Sequence, residues 1–255
     1  MQATPIQHWP GRMVELKELT VHVRSTPEGP AEQAVFVHGL AGSATNWTDL
    51  MGELSDVVTG HALDLPGAGY SPAPPDDDYS VDAHARAVIG LIEKLGGPVH
   101  LFGNSLGGAV SVRVAATRPE LVRTLTLISP ALPDLPLRYG PMRVALSATP
   151  GLGEWAMARL LRSLPPERRV RATLSMCYAD CSRVHPQRLE DAIAELVRRD
   201  ELPHAALSLV RSARGLVVEY LMDYLRRGES TLWRQAARVQ APTLVIHGRH
   251  DRLVN

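Results

Sequence analysis

The sequence predicts an α/β fold in which a doubly wound, mostly parallel sheet carries an inserted helical block. Strand-like and helix-like stretches alternate through residue 132, which is typical of parallel sheets with helices on both faces. From Pro133 to Val239 no strand-like run occurs, and a buried-strand pattern returns only in Ala241–Asp251. The chain is therefore divided into a first core part, a helical cap inserted between two strands, and a second core part. These three segments are residues 1–132, 133–239 and 240–255.

Periodicity and turn residues define the elements before the insertion. Short apolar–polar alternations and apolar runs that end in glycine or proline predict strands. A helix is predicted from Ser80 to Gly96, because serine can cap its start and glycine its end. Trp47–Leu54 has helical spacing as well. The predicted strands are Val14–Leu16, Leu19–Val23, Ala34–Leu40, the start of Val57–Ser71, the run that begins at Val99, and Val122–Leu132.

Prolines punctuate the helical block. Proline is tolerated in the first turn of a helix, so Pro166, Pro186 and Pro203 are predicted to open helices. Leu152–Leu164 and Leu216–Leu225 are rich in apolar side chains. Most of these side chains are expected to pack the cap onto the core, and the remainder would suit a medium-sized apolar substrate.

Composition and charge exclude several classes of function. The 255 residues include 27 Lys and Arg and 27 Asp and Glu, and this zero net charge argues against nucleic-acid binding. No apolar run approaches the length of a membrane span, and the first residues lack the pattern of a signal peptide, so a cytoplasmic location is expected. Cys177 and Cys181 are too few for a metal site and are expected to be buried, reduced thiols.

A serine lies between glycines where a predicted strand meets a predicted helix. The stretch Gly103-Asn104-Ser105-Leu106-Gly107 matches G-x-S-x-G, and Gly108 follows it. A serine on such a sharp turn adopts strained φ and ψ angles, so its neighbours must lack bulk. The turn exposes the hydroxyl and directs the next amide and a helix N-terminus at the reaction centre.

With three further motifs, this stretch resembles the α/β-hydrolase superfamily. "HGLAGSATNW" (His38–Trp47) resembles the oxyanion loop of that family, and "LDLPGAGYS" (Leu63–Ser71) resembles its D-x-P-G-x-G-x-S loop, with Ala68 where many members carry histidine. "IHGRHDRLV" (Ile246–Val254) resembles the strand end that carries the catalytic acid. The resemblance covers residues 13–132 and 240–255 and implies a sheet of the α/β-hydrolase type with a helical cap.

The resemblance implies a role for five residues. Ser105 would be the nucleophile, and the backbone N–H groups of Leu40 and Leu106 would form the oxyanion hole. Asp251 would orient the catalytic base and stabilise its cationic form. Asp134 is the fallback acid, because some relatives place the acid there; it would otherwise be a cap hinge or a helix N-cap.

The histidine of the triad has no clear candidate in the sequence. The family order is Ser, then Asp or Glu, then His, whereas the sequence ends at Asn255, four residues after Asp251. His38 is expected to pack in its loop, and His247 and His250 flank Asp251 too closely to act as its partner. We expect the remaining helix, strand and histidine to follow Asn255. The alternative is a chain that ends there and has weak or no activity.

The resemblance implies a serine hydrolase that uses neither a cofactor nor a metal. Among serine hydrolases, a carboxylic ester hydrolase that acts on a small molecule with an apolar acyl group is favoured. Serine at position 105 argues against epoxide hydrolases and dehalogenases, which use aspartate there. Thioesterase, perhydrolase and C–C bond hydrolase activity stay open. So does a non-catalytic small-molecule-binding protein that has kept the fold.

Overall fold

A computed structural model describes residues 5–133, 163–225, 231–251 and 254, together with residues 151, 153, 155, 156 and 159. Within these residues seven strands form one sheet with the spatial order β1-β2-β4-β3-β5-β6-β7. The strands are β1 (Gly11–Glu15), β2 (Thr20–Ser25), β3 (Gln33–Val37), β4 (Thr59–Leu63), β5 (Val99–Asn104), β6 (Val122–Ile128) and β7 (Thr243–Ile246).

The sheet is parallel except at one end. β1 and β2 pair antiparallel, as do β2 and β4, whereas β4, β3, β5, β6 and β7 run parallel to one another. The predicted doubly wound, mostly parallel sheet is thereby confirmed. Val37 lies opposite Gly103, and Ile128 lies opposite both Asn104 and Ile246, so the carboxyl ends of β3, β5, β6 and β7 meet at one edge. Parallel sheets place their ligands at that edge.

Helices follow the strands, and four helices lie in the described part of the segment between β6 and β7. Ser80 caps α2 (Val81–Leu95) by accepting a hydrogen bond from the Ala83 N–H, and Gly96 ends this helix with a φ of 80°. Pro166 and Pro186 open their helices as predicted, whereas Pro203 lies in a turn before the next one. The helices are α1 (Thr48–Glu53), α2 (Val81–Leu95), α3 (Leu106–Thr117), α4 (Pro166–Cys177), α5 (Pro186–Asp200), α6 (Ala205–Leu225) and α7 (Leu232–Ala236).

The core forms on both faces of the sheet. On one face α2 and α3 pack their apolar sides onto the strands, and on the other Phe36, Trp47 and Met51 form a smaller cluster. β7 lies at the edge of the sheet, and Leu244, Val245 and Ile246 are 47–58% exposed. The larger cluster includes Val35, Val37, Leu63, Val88, Leu91, Ile92, Leu101, Val110, Val114 and Leu125.

A buried arginine joins the cap helices to the core. Arg113 lies on α3, and its guanidinium donates hydrogen bonds to Asp82 on α2, to Glu219 on α6 at 3.0 Å, and to Gln235 on α7. A buried charge is costly unless it is paired and hydrogen-bonded, and these partners satisfy that requirement. The contact fixes α6 and α7 against α3.

The prediction that both cysteines are buried is wrong. Cys177 ends α4 and Cys181 begins a short 3₁₀ turn, and both thiols are exposed. The reason is that α4 lies on the outside of the cap, where Val170 is its one buried residue within the described chain. The stretch Leu152–Leu164 lies largely outside the described residues. Within the part of the chain that the structure describes, no helix is long and apolar enough to cross a membrane.

Candidate active site

Ser105 occupies a strained turn between β5 and α3. Its φ is 51° and its ψ is −118°, a region that residues other than glycine rarely adopt. The Ser105 N–H donates a hydrogen bond to the Ile128 carbonyl at 3.1 Å, and the Ala131 N–H donates to the Ser105 carbonyl at 2.9 Å. Such strain persists only where the surroundings impose it, and it is concentrated at functional sites.

Glycines around Ser105 allow two turns to pack against each other. A Cβ atom on Gly107 would lie 2.6 Å from the His38 carbonyl oxygen and closer still to that of Val37. A Cβ atom on Gly39 would lie 3.0 Å from the Cβ of Ser105. The loop after β3 therefore lies directly on the first turn of α3, next to the serine.

The two amides predicted for the oxyanion hole lie beside one pocket. Leu106 is the first residue of α3, so its N–H has no partner within the helix and belongs to the positive end of the helix dipole. Leu40 lies in the loop after β3, and both leucines line the same pocket under the cap. The structure thus brings Leu40 and Leu106 together next to Ser105. Their role in stabilising an oxyanion stays a prediction.

A buried carboxylate holds the loops on either side of the pocket. Asp64 is 1% exposed and accepts hydrogen bonds from the Ala44 N–H at 2.6 Å, the Tyr70 N–H at 2.9 Å and the His22 ring at 2.8 Å. Burial acts to raise the pKa of Asp64, but the hydrogen bond from His22 and those from the backbone outweigh it and lower the pKa. Asp64 stays charged and ties the loop after β3 to the loop after β4.

Asp251 lies at the same edge of the sheet as Ser105. It follows Ile246, the last residue of β7, in a turn closed by its own N–H donating to the Gly248 carbonyl at 3.0 Å. One carboxylate oxygen accepts from the Val254 N–H at 3.0 Å. Only β6 separates β7 from β5 in the sheet. The placement is compatible with a catalytic acid, and that role stays a prediction; the fallback, Asp134, lies outside the described residues.

Two of the described histidines have structural roles. His38 is buried, with Nδ1 bonded to the Gly39 carbonyl and Nε2 accepting from the Leu65 N–H, and burial is the main cause of its lowered pKa. His185 caps α5 by accepting from the Gln187 N–H. Among the residues that the structure describes, no histidine is hydrogen-bonded to Ser105. The location of the general base therefore stays a prediction.

Two polar side chains that line the pocket were not predicted from the sequence. Arg199 on α5 reaches the loop after β3 and donates to the Ala41 carbonyl at 2.7 Å. His84 on α2 contacts Ser212 on α6. The signal that could have found this second contact is a pair of serines, Ser208 and Ser212, four residues apart and therefore on one face of α6.

Comparisons with known proteins agree with this architecture. The family described as "alpha/beta hydrolase fold" matches residues 35–150. The chain is 28% identical over 246 residues to a 2-hydroxy-6-oxononadienedioate/2-hydroxy-6-oxononatrienedioate hydrolase of Burkholderia vietnamiensis, covering 93% of this chain and 76% of that protein. It is 35% identical over 144 residues to lipase LipV of Mycobacterium tuberculosis, covering 55% of this chain and 53% of that protein.

A solved structure shares the fold. An epoxide hydrolase from Vigna radiata superposes with a TM-score of 0.70 at 20% identity, covering 94% of this chain and 79% of the other. The chain has the α/β-hydrolase fold, as its motifs indicated, and residues 35–150 match the sequence pattern of that family.

The packing of Gly107 gives a matched pair of substitutions. We expect Gly107→Ala to lower the free energy of unfolding by about 2–3 kcal/mol, because the new methyl group meets backbone carbonyls that cannot move aside. Gly90→Ala on α2 is the control, since its Cβ would meet only the Leu16 side chain at 3.4 Å, and a gain of up to about 1 kcal/mol is expected. Urea unfolding measures both. Equal stability of the two variants would contradict the tight contact at Gly107.

Proposed function

We propose that the protein is a serine hydrolase that cleaves carboxylic esters of small molecules with an apolar acyl group. The observation that carries the proposal is the conformation of Ser105, whose φ of 51° sets the serine between a strand end and a helix N-terminus. The packing of Gly39 against Ser105 supports it, because that contact brings a second loop amide beside the reacting atom. Lipase LipV, a relative, is itself named for ester hydrolysis.

The reaction proceeds in two steps. The Ser105 hydroxyl oxygen attacks the ester carbonyl carbon, its proton passes to the general base, and the N–H groups of Leu40 and Leu106 stabilise the oxyanion. The C–O bond then breaks, and the alcohol leaves with the proton from the base. Water attacks the acyl-serine in the second step, and the base takes its proton. As the bond between the acyl carbon and the Ser105 oxygen breaks, the base returns the proton to that oxygen, and the carboxylic acid is released.

The proposal assigns the base to a histidine that Asp251 orients. Support for Asp251 comes from its position at the carboxyl edge of the sheet, in a turn that starts at Gly248. A carboxylate beside the imidazole fixes its tautomer and stabilises the imidazolium that forms during attack. Asp134 is the alternative acid.

Steady-state hydrolysis of 4-nitrophenyl butanoate by the natural full-length protein tests these assignments. We expect Ser105→Ala to lower kcat by at least about 10⁴-fold, because the nucleophile is lost. Asp251→Asn should lower it by about 10³–10⁴-fold, because the base loses its orienting charge.

Asp134→Asn is the matched control and should leave kcat within about threefold of the wild-type value, since the proposal gives that carboxylate no part in the reaction. A large loss in Asp134→Asn with little loss in Asp251→Asn would reassign the acid. Unchanged turnover in Ser105→Ala would refute the proposed mechanism.

A second candidate function, hydrolysis of a C–C bond in an anionic substrate, is favoured by Arg199. Arg199 lines the pocket that Leu40 and Leu106 share, and its guanidinium donates a hydrogen bond to the Ala41 carbonyl at 2.7 Å. Burial, its largest influence, lowers the pKa of Arg199, while the nearby Glu195 and Asp200 act to raise it. A substrate carboxylate would compensate that charge. The Burkholderia vietnamiensis relative is named for hydrolysis of a dienedioate, a dianionic substrate.

Two nearly isosteric esters test whether Arg199 recognises an anionic substrate, as the second candidate requires. We expect Arg199→Gln to lower kcat/KM for the mono-4-nitrophenyl ester of succinate by about 10–100-fold, because a charge-assisted hydrogen bond is lost. The value for 4-nitrophenyl butanoate should change by less than about threefold. Arg198→Gln is the control, since Arg198 stacks on Tyr70 and pairs with Glu195. Equal losses on both esters in Arg199→Gln would show that Arg199 only supports the loop at Ala41.

A further inference from the structure

The cap helix α5 faces the core with charged side chains. Arg188 near its start and Arg199 near its end both donate hydrogen bonds to the core. These residues are separated by about three turns, so both side chains lie on one side of the helix. Leu196 is the one buried residue of α5. Polar contacts more than apolar burial therefore hold this helix against the core.

Arg188 joins three segments of the chain. Its Nε donates to the Asp49 carboxylate on α1 at 2.8 Å, and one of its terminal nitrogens donates to the Ile6 carbonyl at 2.6 Å. The other terminal nitrogen donates to Asp191, one turn further along α5, at 2.8 Å. The hydrogen bond from Arg188 lowers the pKa of Asp49, so this pair stays charged at neutral pH. The guanidinium thus links α5 to α1 and to the N-terminal segment, residues 5–10.

The N-terminal segment is also bonded directly to α1. The Trp9 indole N–H donates to the Thr48 carbonyl at 3.0 Å, and Nδ1 of His8 lies 2.7 Å from the Thr48 hydroxyl oxygen. Nε2 of His8 faces the Asp191 carboxylate at 3.3 Å. His8 therefore bridges α1 and α5, and the segment forms a second link between the core and the cap helix.

The other end of α5 meets the loop that carries Leu40. Arg199 donates to the Ala41 carbonyl at 2.7 Å, and Ala41 has a φ of 61°, a conformation that alanine rarely adopts. The Gly42 N–H donates to the Gly39 carbonyl at 3.0 Å and closes the turn around Ala41. A helix is stiff along its axis, so contacts that fix its first turn also restrict its last turn, about 16 Å away.

We propose that Arg188 and the N-terminal segment form a clasp that sets the position of α5, which makes Arg188 a positioning residue for Arg199 and the loop at Ala41. Partly exposed ion pairs contribute little singly, so several must act together where apolar burial is small. The inference rests on the proposed function in one respect, since it takes the loop at Leu40 as part of the site. The clasp consists of Ile6, His8, Thr48, Asp49, Arg188 and Asp191.

Backbone hydrogen exchange followed by mass spectrometry tests the clasp in the natural full-length protein. We expect Arg188→Gln to raise the exchange rate of α5 amides by about tenfold while α3 is unchanged, because local opening of α5 no longer breaks charge-assisted hydrogen bonds. Arg188→Lys should give a smaller rise, since one ammonium cannot reproduce the fork of a guanidinium. Arg171→Gln is the control, because Arg171 pairs with Glu167 within α4.

Two further variants test the N-terminal segment itself. His8→Ala removes the bridge between Thr48 and Asp191, and Trp9→Phe removes an N–H that is bonded to α1 and not to α5. Both should raise exchange in α5 by about threefold. A rise in Trp9→Phe would show that the segment acts on α5 through its attachment to the core.

A double-mutant cycle with Arg199 tests the effect on the loop. Arg188→Gln and Arg199→Gln should each raise exchange in residues 39–44 by about threefold, because each weakens the hold of α5 on the Ala41 carbonyl. Adding Arg188→Gln to Arg199→Gln should give no further rise in that loop, since the link is already broken. A merely structural role of Arg188 would make the two effects multiply.

Three results would overturn the inference. The first is unchanged exchange of α5 in both Arg188→Gln and His8→Ala. The second is an equal rise in α3 and α5, which would indicate a general loss of stability. The third is a loop effect of Arg188→Gln that persists in full without Arg199. Exchange requires no turnover, so failure of the proposed function is seen separately, as absent ester hydrolysis by the protein with an intact clasp.

Discussion

The close contact between two backbone turns underlies the whole site. The loop after β3 lies on the first turn of α3, and Gly107 makes this possible because any side chain there would meet the carbonyl oxygens of Val37 and His38. Gly39 allows the same loop to pass beside Ser105. The serine in this turn has a positive φ of 51°. The strained turn at Ser105 is thus a packing consequence of small residues.

Buried polar contacts fix the positions of the two turns and the cap relative to one another. Asp64 ties the start of the 3₁₀ turn at Ala44 to the backbone at Tyr70, and it does so as a charged group with three hydrogen bonds. Arg198 on α5 extends this support by stacking on the Tyr70 ring and donating to the Gly69 carbonyl. The cap contacts the core through directional groups as well as apolar surface. These contacts are Arg113–Glu219, His84–Ser212, Tyr79–Ser208 and Arg199–Ala41.

Local chemistry made much of the fold predictable. Ser80 and Gly96 mark the ends of α2, because the serine side chain accepts a hydrogen bond from the first turn and glycine adopts the positive φ that ends a helix. Neither requirement depends on what the helix packs against. The turn at Ser105 could be predicted for the same reason, because the small residues that it requires all lie within one stretch of five residues. The alternation of strands and helices then restricted the topology to a parallel sheet.

The pocket side chains depend instead on tertiary packing. Arg199 meets the pocket only because α5 lies over the sheet edge at a particular rotation, and His84 does so only because α2 packs beside α6. No short-range pattern specifies either placement. Cys177 and Cys181 show the converse error. The usual preference of cysteine for the interior fails on a helix that faces solvent along almost its whole length. In the sequence Asp64 is recognisable only as part of the Leu63–Ser71 motif. That it links two loops is seen only in the structure, where Ala44, Tyr70 and His22 donate hydrogen bonds to it.

The central claim, that Ser105 is an activated nucleophile, is tested most directly by covalent labelling with a fluorophosphonate followed by peptide mass mapping. The natural full-length protein is treated with the probe at neutral pH, beside its Ser105→Ala variant. The account requires one adduct per chain, located on Ser105 and absent from the variant. An unlabelled protein, or an adduct on another residue, would contradict the account and favour a binding protein that has kept the fold without the reaction.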